Sequence, residues 1–174
     1  MRRAIVITTA LLIVVLLFSV ASAQSSFEIR IFIDNEDLTV YVPSSGLVSL
    51  RGFGFQVQVN GQTRMYLLEE YAAFGILFDQ LPVPLCFRLR SSGTRIPLAQ
   101  ACNGVTTLTQ DLAPADVFWF DGVAGVSRVM VLAQNGVPFS ICASGANECS
   151  TIYTPPTFTP TPTHTTIPTA TITP

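Results

Sequence analysis

The chain has 174 residues, with nine Arg, no Lys and eleven acidic residues, for a formal net charge of −2. The cations are scattered rather than clustered; phosphate backbones need clustered cations, so nucleic acid is excluded as a partner class. There is a single His, and the four Cys contain no Cys-x-x-Cys spacing, which removes imidazole-based triads and the common zinc sites from consideration.

Met1-Arg2-Arg3 is a basic start, Ala4 to Val20 is apolar apart from Thr8, Thr9 and Ser19, and Ala21-Ser22-Ala23 precedes Gln24. This order describes a helical secretory signal peptide over residues 1–23, cut after Ala23, with Ala21 and Ala23 as the small residues the peptidase needs. The competing reading is an uncleaved anchor, because the apolar run approaches the ~20 residues that span a bilayer. That segment is the only expected contact with a membrane. No Cys lies near the site, which argues against a lipid-anchored lipoprotein.

Residues 24–153 are long enough for one domain with a real core. Phe27, Ile29, Ile31 and Ile33 alternate with polar residues and predict a first strand. Asp34-Asn35-Glu36-Asp37 is a turn, Leu38–Val42 a second strand, and Pro43-Ser44-Ser45-Gly46 a second turn. The stretch Val48–Gly61 carries the clearest alternation, with Phe53, Phe55, Val57 and Val59 on one face and Gly54, Gln56 and Gln58 on the other. Val48 and Leu50 have the opposite parity. The apolar face therefore changes sides across Arg51-Gly52, as strands do at a bulge or glycine kink where they change sheet. Asn60-Gly61 predicts a tight hairpin to a partner at Gln62–Leu68.

Glu69–Leu81 reads as an outer crossover with at most one or two helical turns, limited by Gly75 and the prolines beyond. Leu85–Arg90 is a strand, Ser91-Ser92-Gly93 a turn, and Thr94–Cys102 its antiparallel return. Asp116-Val-Phe-Trp-Phe-Asp121 is apolar on both parities and predicts a strand buried on both sides, with the sole Trp as a core anchor. A turn region ends near Gly125. Ser127–Ala133 is a strand, Asn135-Gly136 a tight turn, and Val137–Cys142 the last strand. Eight or so short strands with turn signals between them indicate a sandwich or barrel.

Leu38–Val42, the Pro-Ser-Ser-Gly turn and Val48-Ser-Leu-Arg-Gly-Phe-Gly-Phe resemble the opening of a lamin-tail domain, where a strand and turn lead to a Leu-x-Gly-aromatic bend. Asp116-Val-Phe-Trp-Phe-Asp-Gly with the Ser127–Ala133 strand resembles that family's closing hairpin, so the likeness spans about residues 38–141. Phe53 stands where the family usually has Trp, and the Cys86–Cys102 region is an addition. The resemblance implies an immunoglobulin-like sandwich and, in bacteria, an exported accessory module. It supplies no catalytic residues.

Cys86, Cys102, Cys142 and Cys149 all follow the leader. An even number in an exported chain predicts two disulfides. Of the three possible pairings, Cys86–Cys102 with Cys142–Cys149 closes the shortest loops, the first contributing about 3 kcal/mol on loop entropy.

From Thr151 the composition changes: Thr and Pro fill seventeen of the last twenty-four residues, which cannot build a core. Residues 154–174 are expected to be a disordered extended tail, either a plain spacer or an O-glycosylated stalk. A hydrophobic C-terminal anchor of the usual kind is not expected, since residues 154–174 are Thr/Pro-rich.

The search for chemistry yields little. His164 lies in the tail and cannot be preorganised. Asp111, Asp116 and Asp121 are near in sequence, but Asp116 and Asp121 have opposite parity on the expected strand, so strand-end turn acids explain them better than a paired-acid site. Asp34–Asp37 lacks the alternating spacing and Gly of a calcium loop and reads as a solvated turn. Glu69-Glu70 reads as a solvated face. Gly52-x-Gly54 lacks the third glycine and helix of a dinucleotide site.

The expected protein is thus all-β: one immunoglobulin-like or lamin-tail-like sandwich, secreted or at the cell surface, extracytoplasmic in either case. It is expected to be a non-enzymatic surface, adhesion or ligand-recognition module on a Thr/Pro-rich stalk, with no metal or cofactor and an unidentified extracellular ligand. A secreted carboxylate-dependent hydrolase acting on carbohydrate and a purely structural spacer remain open.

Overall fold

Alternating apolar side chains become strands over most of the chain in a computed structural model that describes residues 26–71, 77–122 and 128–155. The leader with Ala21 and Ala23, the possible helical turns at 72–76, the turn at 123–127 and the tail beyond 155 with His164 lie outside the described residues. Among the described residues the strands are β1 (Phe27–Ile33), β2 (Asp37–Val48), β3 (Phe53–Val59), β4 (Gln62–Leu67), β5 (Leu81–Ser91), β6 (Thr106–Leu112), β7 (Met130–Gln134), β8 (Val137–Cys142) and β9 (Glu148–Tyr153). They form a five-stranded sheet in the order β6-β5-β2-β1-β9 and a four-stranded sheet in the order β4-β3-β7-β8.

The sheets share one core. Ile29, Ile31 and Ile33 of β1, Leu38, Val40 and Val42 of β2 and Leu85, Phe87 and Leu89 of β5 meet Phe53, Phe55 and Val57 of β3 and Met130 and Leu132 of β7, all buried. Each such side chain contributes about 1.5–3 kcal/mol by leaving water. The architecture is a β-sandwich.

The change of apolar face at Arg51-Gly52 is where the chain leaves one sheet for the other, since β2 and β3 belong to different sheets. The corner is tied on every side. The Leu50 N–H donates to the Phe78 carbonyl at 2.8 Å, and the Asn135 N–H to the Gly52 carbonyl at 2.9 Å. The Gly52 N–H donates to Glu69 Oε2 at 3.2 Å. Gly52 has φ +72°, and a Cβ there would stand 2.0 Å from Asn135 Oδ1. Gly52→Ala is therefore expected to lower the unfolding free energy by about 2 kcal/mol or more, from left-handed strain and collision together. Urea denaturation checks this; a cost under about 0.5 kcal/mol would show that the corner is not built this way.

Asn60-Gly61, with φ of 53° and 77°, makes the expected hairpin, and Val59 pairs with Gln62. Asn135-Gly136 repeats the device between β7 and β8.

Four expectations are corrected. Pro43–Gly46 is not a turn between strands but an irregularity inside β2, where pairing with β5 shifts between Val42 and Gly46; Pro43 has no N–H for a regular ladder. Thr94–Cys102 does not return as an antiparallel strand. The chain from Ser92 to Val105 crosses the outer face of the five-stranded sheet and re-enters as β6, parallel to β5, with Leu85 opposite Thr106 and Ser91 opposite Leu112. A parallel partner needs a long crossover of this kind. Val117–Phe120 is not a regular strand. It follows a 3₁₀ turn at Pro114–Asp116, and its irregular backbone lets the adjacent Phe118 and Trp119 both enter the core. Finally, Asp37 is not solvated: it is buried beneath the crossover, paired with Arg88.

Both disulfides form with the shortest-loop pairing, Cys86–Cys102 across 16 residues and Cys142–Cys149 across 7. The first staples the crossover to β5. The second joins β8 to β9 and so closes one open side of the sandwich, sheet to sheet. Two structural disulfides suit an oxidising, extracytoplasmic compartment.

Candidate ligand-binding cleft

The opposite side of the sandwich, between edge strands β4 and β6, is closed differently. On β4, Tyr66 stands opposite Phe55 and Arg64 opposite Val57, so both have the parity of the core face. Because β4 is an edge, these side chains reach the open side of the sandwich. After β6, the Pro114–Asp116 turn brings Val117 and Phe118 into the gap. Tyr66 stacks on Phe118, with ring centroids 4.0 Å apart and planes at 10°. Phe118 is in turn edge-on to Trp119, 5.1 Å away, whose Nε1–H donates to the Asp34 carbonyl at 2.8 Å.

This arrangement leaves a cleft of about 430 Å³, its walls including Arg64, Tyr66, Tyr71, Asp116, Phe118 and Arg128. Arg128 is fixed: its Nε donates to Asp121 and its Nη1 to the Phe118 carbonyl. Arg64 and Asp116 are exposed, and neither has an ion-pair partner among the described residues. Burial, with Tyr66, Glu70 and Asp116 nearby, pushes the Tyr71 phenol above the usual tyrosine range. A shallower hollow of about 400 Å³ on the outer face of the four-stranded sheet, lined by Gln56, Gln58, Thr63 and Val131, shares Arg128 with the cleft.

The sequence-singled acids are dispersed. Asp111 lies near the end of β6 and takes two hydrogen bonds from Arg90, which holds its carboxyl below the ordinary aspartate range. Asp121 pairs with Arg128, leaving Asp116 alone of the three in the cleft. A depressed folded-state pKa adds stability that is present above the unfolded value, near 3.9, and is lost as pH falls through the folded one. Asp111→Asn should therefore flatten the acid side of the stability profile below about pH 4, as read from urea midpoints across that range; an unchanged profile would contradict the pair. Glu69 serves the Gly52 corner. Among the described residues no group of three or more His, Cys, Asp or Glu is placed to hold a metal ion.

Sequence reasoning missed Arg64, Tyr66, Tyr71 and Arg128. The available signal was an Arg and a Tyr at core parity on the hairpin partner of β3, a pattern that points outward only once β4 is known to be an edge.

No protein family matches this chain, and comparison with curated proteins and with solved structures found no match.

Proposed function

We propose that this chain is an exported, non-enzymatic recognition module, secreted or held at a cell surface, whose sandwich presents the Arg64–Tyr66–Asp116 cleft to an extracellular ligand. The observation that carries the reading is the cleft itself: a concave site with an anchored aromatic wall and two unpaired polar side chains of opposite sign. Such a concavity with a few convergent polar groups is the usual form of a binding site. The disulfides support export, and the Thr/Pro-rich residues 154–174 fit a spacer that carries the domain away from its attachment point. An immunoglobulin-like, lamin-tail-like identity belongs to the same proposal and rests on the Leu50–Phe55 bend and the Asp116–Gly122 segment.

The test is adsorption of the purified, disulfide-bonded chain to immobilised cell-envelope and extracellular-matrix preparations, beside Arg64→Ala/Tyr66→Ala. Saturable adsorption that falls at least tenfold in the double variant, with an unchanged unfolding midpoint, supports recognition through the cleft. Absence of adsorption, or adsorption indifferent to these substitutions, overturns it.

A further inference from the structure

Five of the seven arginines beyond residue 3 are held in ion pairs: Arg30 with Glu148, Arg51 with Asp79, Arg88 with Asp37, Arg90 with Asp111 and Arg128 with Asp121. Arg64 and Arg95 are the two left over, and among the acids Glu28, Asp34, Glu36, Glu69, Glu70 and Asp116 are in no ion pair. Of these unpaired charges, Arg64 and Asp116 stand out by position. They line the same cleft, carry opposite charge and are not paired with each other or with any other described residue. Each keeps its hydrogen-bonding capacity for something else.

The charge balance of the cleft restricts what that is. Of the charged side chains that line the cleft, Arg128 is paired with Asp121, and Arg64 and Asp116 cancel in sum without pairing; Glu70, near Tyr71, is not among the lining residues. A phosphate or sulfate drawn to Arg64 would meet the Asp116 carboxylate, and a cationic ligand drawn to Asp116 would meet Arg64. A neutral molecule with several hydroxyl groups meets neither penalty. A hydroxyl both donates and accepts, so adjacent hydroxyls can accept from the guanidinium and donate to the carboxylate, both charge-assisted. The third wall is flat and aromatic. Tyr66 is fixed by stacking on Phe118, so ordering it on binding costs little entropy, and its ring offers an apolar face with a polar rim. The volume falls within the range of about 300–1,000 Å³ common to small-molecule sites.

We infer that the ligand of this cleft is a neutral carbohydrate, with a sugar ring laid against Tyr66 and its hydroxyl groups shared between Arg64 and Asp116. This rests on the recognition reading above and specifies the ligand class for the same site. Tyr71 is a neutral phenol at pH 7 and adds no negative charge to the cleft.

The experiment is calorimetric titration of the full disulfide-bonded chain, with amide chemical shifts recorded in parallel. The probes are maltotriose, cellotriose, mannotriose and triacetylchitotriose, with a sulfated disaccharide, spermine and a Thr-Pro-Thr-Pro peptide as contrasts. At least one neutral trisaccharide is expected to saturate the protein and shift Arg64, Tyr66 and Asp116. Tyr66→Ala should weaken binding tenfold or more. Arg64→Met and Asp116→Asn should each weaken it about tenfold or more, the range for losing a hydrogen bond to a charged group. Tyr66→Phe, which keeps the ring, should stay within about threefold and serves as the folding control.

Tighter binding of the sulfated sugar, spermine or peptide at these residues would overturn the neutral-carbohydrate assignment while leaving the cleft a recognition site. So would failure of all the sugars while surface adsorption still depends on Arg64 and Tyr66. Sugars that bind without shifting cleft residues would overturn the placement. Only absence of adsorption, or adsorption indifferent to the cleft, overturns the recognition reading itself.

Discussion

Trp119→Ala is expected to lower the free energy of unfolding by about 3–5 kcal/mol. The side chain is fully buried and is held on two counts. Its ring meets Phe118 edge-on, and Phe118 carries the contact onward to Phe55 and Tyr66. Its Nε1–H satisfies the Asp34 carbonyl in the β1–β2 turn. Truncation opens a cavity on the side of the sandwich that no disulfide closes, and it removes a partner from a backbone acceptor. Trp119→Phe should cost less, because it keeps much of the packing and loses the hydrogen bond. Far-ultraviolet circular dichroism in urea reads both, since removing the only Trp removes the fluorescence signal. A cost below about 1 kcal/mol for Trp119→Ala would place the 117–120 segment on the surface. The cleft would go with it, because Phe118 is the support for Tyr66.

Arg88→Ala is expected to cost about 3–5 kcal/mol, the range for breaking a buried ion pair from one side. The side chains of Arg88 and Asp37 are 9% and 8% exposed. Asp37 accepts from Arg88 Nε and from Thr39 Oγ1, while Arg88 Nη2 donates to the Ile96 carbonyl at 2.6 Å. One guanidinium thus neutralises a buried carboxylate and pins the crossover that joins β5 to β6. Removing it leaves the charge uncompensated and the Ile96 acceptor unpaired. Replacing both partners, Asp37→Leu with Arg88→Leu, should recover much of the loss, because the desolvation cost of the two charges disappears with them. A double-mutant cycle measures this coupling directly. Additive effects would mean that the two residues do not share a buried site.

How far the chain could be read in advance depends on where each signal resides. Phe53, Phe55 and Val57 were legible because a half-buried strand writes its inner face at every second residue. Asn60-Gly61 and Asn135-Gly136 were legible because few dipeptides accept two successive positive φ values. The exchange of sheets at Gly52 showed itself as a parity change. β6 and β9 carry no such strand pattern, and the reason is physical. The inward positions of β9 are Cys149, Thr151 and Tyr153, while its most apolar residue, Ile152, faces solvent. β6 is a Thr-rich edge with little to bury. Phe118 and Trp119 looked like a two-sided strand because adjacent buried aromatics are otherwise rare; an irregular plug buries them equally well. The parallel pairing of β5 and β6 depends on a crossover whose path is set by Cys102 and by the Ile96 carbonyl, contacts that local pattern does not encode. The cleft was least legible of all. Arg64 and Tyr66 acquire their meaning from the edge position of β4, and that is decided by strands distant in sequence.

The whole arrangement depends on the chain changing sheets between Val48 and Phe53, since this places β3 in the second sheet between β4 and β7 and leaves β4 at its edge beside the cleft. Interstrand nuclear Overhauser effects on isotope-labelled protein test it most directly. Cross-strand contacts are expected to link β3 to both β4 and β7, with Phe55 opposite Tyr66 on one side and Leu132 on the other, and β2 to β1 and β5. A ladder of contacts joining β2 to β3 as neighbours in one sheet would contradict it.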